Sequence, residues 1–210
     1  MLGFRLPRNF EHPYAARSMQ DFWRRWHISL SSWFRDYVYI PLGGSREGTA
    51  RTYLNLLAVW VLTGLWHGST LNFLLWGLLL FALIALERAG WGRVLARSRV
   101  ISRVYMVLMI PLSWLLFAIP SVSRIGVYLG RLFPLVSRGI AVNAGDWLQY
   151  GKQYWWLLVL GIVFSTPGPE KLWNRIRGTW LGTVVLAVLF WACVYCMSVA
   201  TNDPFMYFSF

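Results

Sequence analysis

Two histidines, His27 and His67, are the residues of this chain whose chemistry stands out. Each directly follows a tryptophan, in the strings RRWHIS and GLWHGS, and each lies in a tryptophan-rich stretch. A neutral imidazole has a reference pKa of about 6.5 and is the usual general base for taking a proton from a hydroxyl group. An imidazole buried in lipid costs free energy unless it is paired, so such a residue is a functional candidate by default.

Packing is the competing interpretation of both histidines. An imidazole at a helix end can cap backbone carbonyls, and the residues alone favour that role for His67 no less than catalysis. His27 is nearly as well explained as a ring held within a tryptophan cluster. Serine nucleophile chemistry is rejected, because no Gly-x-Ser-x-Gly elbow surrounds Ser29 or Ser31.

The composition is that of an integral membrane protein. Of 210 residues, 57% are hydrophobic and only 13% are charged, whereas soluble domains carry about 25% charged residues. The net charge of +12 comes from basic residues that flank apolar runs. This arrangement indicates contact with lipid head groups and excludes nucleic acid as a partner. Cys193 and Cys196 lack the further ligands of a zinc site, and no metal site is predicted.

The absence of charge predicts where the chain crosses the membrane. Between Arg51 and Glu87 lie 35 residues without Asp, Glu, Lys or Arg, which is too many for one span and enough for two short ones. We expect a helical hairpin whose turn falls at residues 66–70, where glycines and small polar residues interrupt the apolar pattern. Further spans are predicted at residues 104–120, 153–166 and 179–200. The expected fold class is therefore all-α, a polytopic transmembrane helical bundle.

A basic, tryptophan-rich helix is predicted before the hairpin, over residues 18–37. Ser18 is its expected N-cap, with Asp21 in an approximate capping box and able to pair with Arg24 or Arg25. Apolar and polar residues fall on separate stripes, as in an interfacial or re-entrant amphipathic helix. We expect one membrane domain over 1–210, with a cytoplasmic or re-entrant region at 1–51 and about five transmembrane helices over 52–210.

The distribution of basic residues predicts the orientation in the membrane. With the first region in the cytoplasm, sixteen of the twenty basic residues lie on the cytoplasmic side. That asymmetry follows the positive-inside rule and directs the hairpin turn, with His67, toward the external face.

Four strings resemble the membrane-bound O-acyltransferase family. They are DFWRRWHISLSSWFRDYVYIPLGG at residues 21–44, GLWHG at 64–68, NFLLWG at 72–77 and NDPFMYFSF at 202–210. Within the family the chain is most similar to the bacterial alginate O-acetyltransferase branch, which is itself similar to the D-alanyl transfer proteins of Gram-positive walls. The resemblance covers the whole chain but corresponds to the C-terminal half of a typical member.

The resemblance implies an enzyme of the bacterial inner membrane. It would move an acetyl group from a thioester, acetyl-CoA or another donor, to hydroxyls of an exported polysaccharide such as alginate. The transfer would be direct or would pass through a periplasmic acetyltransferase partner, and neither a bound cofactor nor a metal is required. His67 matches the catalytic histidine and His27 the second signature histidine. The alternatives are a non-catalytic membrane subunit and an inactive truncated fragment of an exopolysaccharide-modification complex.

The remaining site predictions concern substrate binding. Asn72 is expected to bind substrate or to steady the imidazole of His67. The arginines are expected to attract the anionic part of the donor, although on composition they are ordinary anchors at the membrane interface. The full predicted set is Asn72, Trp66, Trp26, Arg24, Arg25 and Arg35.

Overall fold

A computed structural model of the chain describes residues 7–132, 143 and 145–199. The predicted end of the last span at Ala200 and the string at 202–210 lie outside the described residues. Within them every named element is helical, and the all-α prediction is confirmed. The chain divides into two compact units, Met1–Gln149 and Tyr150–Phe210.

Short helices precede the long ones in the first unit. A 3₁₀ turn at Pro13–Ala15 is followed by α1 (Met19–Arg25), α2 (Ile28–Phe34) and a π-helical turn (Arg35–Tyr39). The longer helices are α3 (Thr49–His67) and α4 (Leu71–Leu86), which runs through a π-helical turn (Glu87–Trp91) into α5 (Gly92–Arg97). They are followed by α6 (Arg99–Ala118) and α7 (Val122–Leu132). The helices after residue 145 are α8 (Asp146–Phe164), α9 (Gly168–Ile176) and α10 (Trp180–Val199).

Three helical segments in the described part of the chain are long and apolar enough to cross a membrane. They are Leu71–Arg97, Arg99–Ala118 and Trp180–Val199. A helix of 20 residues rises about 30 Å, the thickness of the hydrocarbon core. Helices also occur at the other two predicted spans, as α3 and α8. The number of five crossings stays a prediction.

The helical hairpin lies where the charge-free run predicts it. Helix α3 ends at His67 and α4 begins at Leu71, so the turn falls within the predicted residues 66–70. Gly64 on α3 and Gly77 on α4 allow these two helices to pack closely, as small residues do in membrane helix pairs. A Cβ on Gly64 would lie 2.6 Å from the carbonyl oxygen of Phe73. This packing places the end of α3 directly against the start of α4.

The prediction of one continuous helix over residues 18–37 is wrong. Helix α1 ends at Arg25, and α2 begins at Ile28 after a break at Trp26 and His27. His27 adopts the left-handed conformation, with φ of 47° and ψ of 54°. That conformation is uncommon for a residue with a side chain and ends the regular helix.

Tertiary pairing explains why the helix breaks there. The N–H of Glu11 donates to the carbonyl of Arg25 and the N–H of Ile28 donates to the carbonyl of Asn9, both at 3.0 Å. These two hydrogen bonds replace bonds that a continuous helix would make. The predicted start is confirmed, because the Oγ of Ser18 accepts from the N–H of Asp21 at 3.0 Å.

The core of the first unit lies among α1, α3, α4 and α6. Large aromatic and aliphatic side chains fill it, and several have almost no exposed surface. The most completely buried include Phe22, Trp76 and Leu80. Helix α1 is thus held against the hairpin by burial of apolar area, which is the dominant favourable contribution to packing.

Candidate active site

His67 ends α3 inside a set of aromatic rings. Its ring centroid lies 5.1 Å from that of Trp76 and 5.0 Å from that of Phe117, both in edge-on contact. Phe73 stacks at 6.2 Å, and the neighbouring Trp66 lies at 4.7 Å. Helices α3, α4 and α6 therefore all contribute to one aromatic pocket around this imidazole, which is partly exposed.

The structure brings the two predicted catalytic histidines together. Trp66 contacts both, with ring centroids 6.3 Å from His27 and 4.7 Å from His67. The break between α1 and α2 produces this arrangement, because it turns the chain at His27 toward the end of α3. Among the described residues no group of three His, Cys, Asp or Glu side chains is placed to hold a metal ion.

Burial favours the neutral form of the His27 imidazole. Burial lowers the pKa of His27 below its ordinary value, because a low-dielectric setting disfavours the charged form. Its Nδ1 is buried and has no hydrogen-bond partner among the described residues apart from its own backbone. A buried polar atom left in this state points to a ligand or water that completes its bonding.

The left-handed backbone of His27 gives a prediction that separates its backbone from its imidazole. Both H27G and H27A remove the ring, but glycine accepts a φ of 47° without steric cost. We expect the free energy of unfolding of H27G to be about 1 kcal/mol higher than that of H27A, so that H27G is the more stable variant. Thermal and denaturant unfolding of the detergent-solubilised protein measures the difference. Equal stabilities would contradict the left-handed conformation at this position.

Asn72 has a structural role that the amino-acid sequence alone does not reveal. It is fully buried, and its Nδ2 donates to the carbonyls of Leu116 at 3.2 Å and Phe117 at 3.1 Å. Its Oδ1 accepts from the Oγ1 of Thr70 at 2.6 Å. Asn72 therefore fastens the end of α6 to the start of α4 and holds Phe117 beside His67. Its predicted contact with substrate stays a prediction.

The two predicted tryptophans differ in position. Trp66 is 48% exposed, so one side of the residue between the imidazoles remains open. Trp26 packs instead against Phe10 at 4.8 Å and Trp114 at 5.2 Å, between ring centroids. Of the pair, Trp66 is the one placed to contact a molecule approaching the histidines.

Two of the three predicted arginines line a cleft of about 470 Å³. Arg24 and Arg35 are exposed and belong to its lining, while Trp23 and Trp60 form part of its wall. Arg35 also pairs with Asp36 at 2.7 Å, while Arg25 pairs with Asp21 at 2.9 Å and is not part of the lining. Neither imidazole belongs to this lining in the described part of the chain. A second cleft of about 260 Å³ shares two lining residues with the first and reaches Trp66.

The sequence pattern does not identify Glu87, which it marks only as the end of a charge-free run. The structure buries it, with 6% of its surface exposed. Its carboxylate accepts hydrogen bonds from the backbone N–H groups of Met19 and Gln20. The one signal in the sequence is an acidic residue at the end of 35 residues without charge.

A family model and several named relatives match the chain. A model of the membrane-bound O-acyltransferase family matches residues 1–129. The chain is 31% identical, over an alignment of 239 residues, to the probable alginate O-acetylase AlgI of Pseudomonas putida. That alignment covers 100% of this chain and 47% of the relative. This chain therefore spans about half the length of that curated relative.

Two further relatives carry other names. The peptidoglycan O-acetyltransferase of Helicobacter pylori is 47% identical over 87 residues, which are 41% of this chain and 16% of that protein. The teichoic acid D-alanyltransferase of Bacillus subtilis is 33% identical over 85 residues, which are 37% of this chain and 22% of that protein. The three names describe acyl transfer, with alginate, peptidoglycan and teichoic acid as the named polymers.

Proposed function

Because the chain belongs to the membrane-bound O-acyltransferase family, we propose that it transfers an acetyl group from a thioester to hydroxyls of an exported polysaccharide. The observation that carries the proposal is the meeting of His27 and His67 around Trp66. Forty positions separate the two histidines in the sequence. An aromatic pocket around an imidazole limits water, which strengthens the electrostatic interactions of a reaction there.

His67 acts as the general base in this proposal. Its imidazole takes the proton of the attacking hydroxyl as the oxygen forms a bond to the thioester carbonyl carbon. The carbon–sulfur bond then breaks, and the imidazolium returns the proton to the departing thiolate. The products are an ester and a free thiol, so no metal, oxidant or resident cofactor takes part.

His27 and the cleft serve the donor. A neutral His27 donates a hydrogen bond to the carbonyl oxygen, on which negative charge develops during attack. Arg24 and Arg35 attract the phosphate groups of acetyl-CoA or of another thioester donor. Trp66 provides a rigid wall between the two imidazoles. The alternative role of these arginines, as anchors at the interface, predicts no effect of their removal on the affinity for the donor.

The names of the relatives support a polysaccharide acceptor. The Pseudomonas putida relative is named as acting on alginate and the Helicobacter pylori relative on peptidoglycan. We propose alginate or a similar exopolymer, acetylated directly or through a periplasmic acetyltransferase partner. In this proposal the protein lies in the bacterial inner membrane, in contact with its lipids and with the donor on the cytoplasmic side.

The proposal is tested in cells that encode the chain in its natural reading frame. We expect deletion of the gene to abolish acetyl esters on the exported polymer and reintroduction to restore them. Membranes from the same cells should transfer labelled acetyl groups from acetyl-CoA to the polymer. Normal acetylation in the deletion strain would overturn the proposal. Loss of acetylation in cells, restored equally by a variant without His67, would support the non-catalytic subunit instead.

A further inference from the structure

Glu87 joins two parts of the fold that are far apart in sequence. Its Oε1 accepts from the N–H of Met19 at 2.6 Å and its Oε2 from the N–H of Gln20 at 3.0 Å. Met19 and Gln20 are the first two residues of α1, where backbone N–H groups lack partners within the helix. A carboxylate suits this place because it satisfies both donors and interacts favourably with the positive end of the helix.

The burial of this carboxylate is informative. Removing a charge from water is costly, so a buried carboxylate is found where several hydrogen bonds compensate it. Glu87 is 6% exposed and lies at the end of the apolar helix α4. A side chain with one acceptor would leave one of the two N–H groups without its bond.

Helix α1 connects Glu87 to the site. The helix has only seven residues, and His27 follows two residues after its end. Arg17, just before the helix, is also fastened: its Nε donates to the Oγ of Ser102 and its Nη2 to the carbonyl of Leu95, each at 3.3 Å. The start of α1 is thus tied to the segments after α4. The left-handed residue His27 follows the end of α1.

We propose that Glu87 is a positioning residue for acyl transfer, which fixes α1 so that His27 faces Trp66 and His67. This inference rests on the proposed function, because its consequence is measured as acyl transfer. Glu87 acts through the backbone of α1 and does not touch the donor or the acceptor. A displacement of about 1 Å at a reacting group lowers rates by as much as about 100-fold.

The test is a double-mutant cycle between Glu87 and His27 in membranes from cells that encode the chain. We expect E87Q to lower kcat by about 10- to 100-fold with little change in the KM for acetyl-CoA. In the H27G background, where the positioned ring is gone, we expect E87Q to cause no further loss. Hydrogen exchange of the α1 backbone amides should be faster in E87Q, because the glutamine amide offers one acceptor where the carboxylate offers two.

Controls separate the possible failures. E47Q removes an exposed carboxylate that pairs loosely with Arg51 at 3.7 Å, and should leave kcat and hydrogen exchange unchanged. E87D keeps the charge but shortens the side chain, so its loss should be intermediate and again absent in the H27G background. Equal losses in both backgrounds, or failure of both Glu87 variants to fold, would overturn the positioning role. Full activity without His67 would overturn the proposed function, whereas the exchange result for α1 would stand.

Discussion

Replacing His67 with alanine is expected to lower the rate of acyl transfer by about 10²- to 10⁴-fold, the contribution of a well-placed general base. The imidazole lies in an aromatic pocket, with its centroid 5.1 Å from that of Trp76 and 5.0 Å from that of Phe117. Alanine leaves the hydroxyl of the acceptor without a group to take its proton. The measurement is the initial rate of labelled acetyl transfer in membranes, together with the acetyl ester content of the exported polymer.

A matched control exists in the same chain. His12 also adopts the left-handed conformation, with φ of 45°, but precedes the 3₁₀ turn Pro13–Ala15 and is not one of the four rings described around His67. H12G removes an imidazole while keeping the backbone accessible, and should leave the transfer rate unchanged. Unchanged acetylation in H67A, with normal protein levels, would contradict the catalytic role of His67. Partial recovery of an H67G variant by added free imidazole would support that role directly.

The long helices were predictable because their signal is local. A run without Asp, Glu, Lys or Arg between Arg51 and Glu87 favours an apolar setting, and its length predicts two helices. Gly64 and Gly68 interrupt the pattern at one place, and the structure turns there. Residues 104–120 were likewise recognised by their apolar composition, although α6 begins five residues earlier, at Arg99.

The break at His27 was not predictable from the same kind of pattern. The apolar and polar stripes over 18–37 continue through the break, so periodicity alone favours one helix. The structure ends α1 because the backbone of Asn9 and Glu11 bonds on either side of His27. Pairing between separate segments overrides a local preference whose strength is only a fraction of a kcal/mol per residue, on the order of 0.5.

The sequence predicts the two histidines that the structure brings together, but not the residues that support them. The tryptophan-flanked histidines stand out as candidates in the sequence itself, and their family resemblance adds to that signal. Asn72 and Glu87 act through partners 44 to 68 positions away. No spacing rule connects residues so distant in sequence, because their contacts depend on how α4 packs against α1 and α6.

Replacing Gly77 with alanine is expected to lower the free energy of unfolding by about 2 to 3 kcal/mol, the upper part of the usual range for overpacking. A Cβ at this position would collide with the carbonyl oxygen of Trp60 on α3, and would lie 3.5 Å from the Cα of Gly64. The obstacle is backbone, so no side-chain rotation relieves it. Helices α3 and α4 must separate, and Trp76 must withdraw from His67.

Thermal unfolding of the detergent-solubilised protein, with the folded yield in membranes, measures the effect. G126A is the matched control, since it makes the same change in helix α7 where a Cβ would meet no atom within 4 Å. Alanine favours helix over glycine by about 1 kcal/mol, so this control should be neutral or slightly stabilising. If G77A and G126A unfold alike, α3 and α4 do not approach as closely as the hairpin requires. The aromatic pocket around His67 would then need another support, because three of the four rings described around it, Trp66, Phe73 and Trp76, come from that pair of helices.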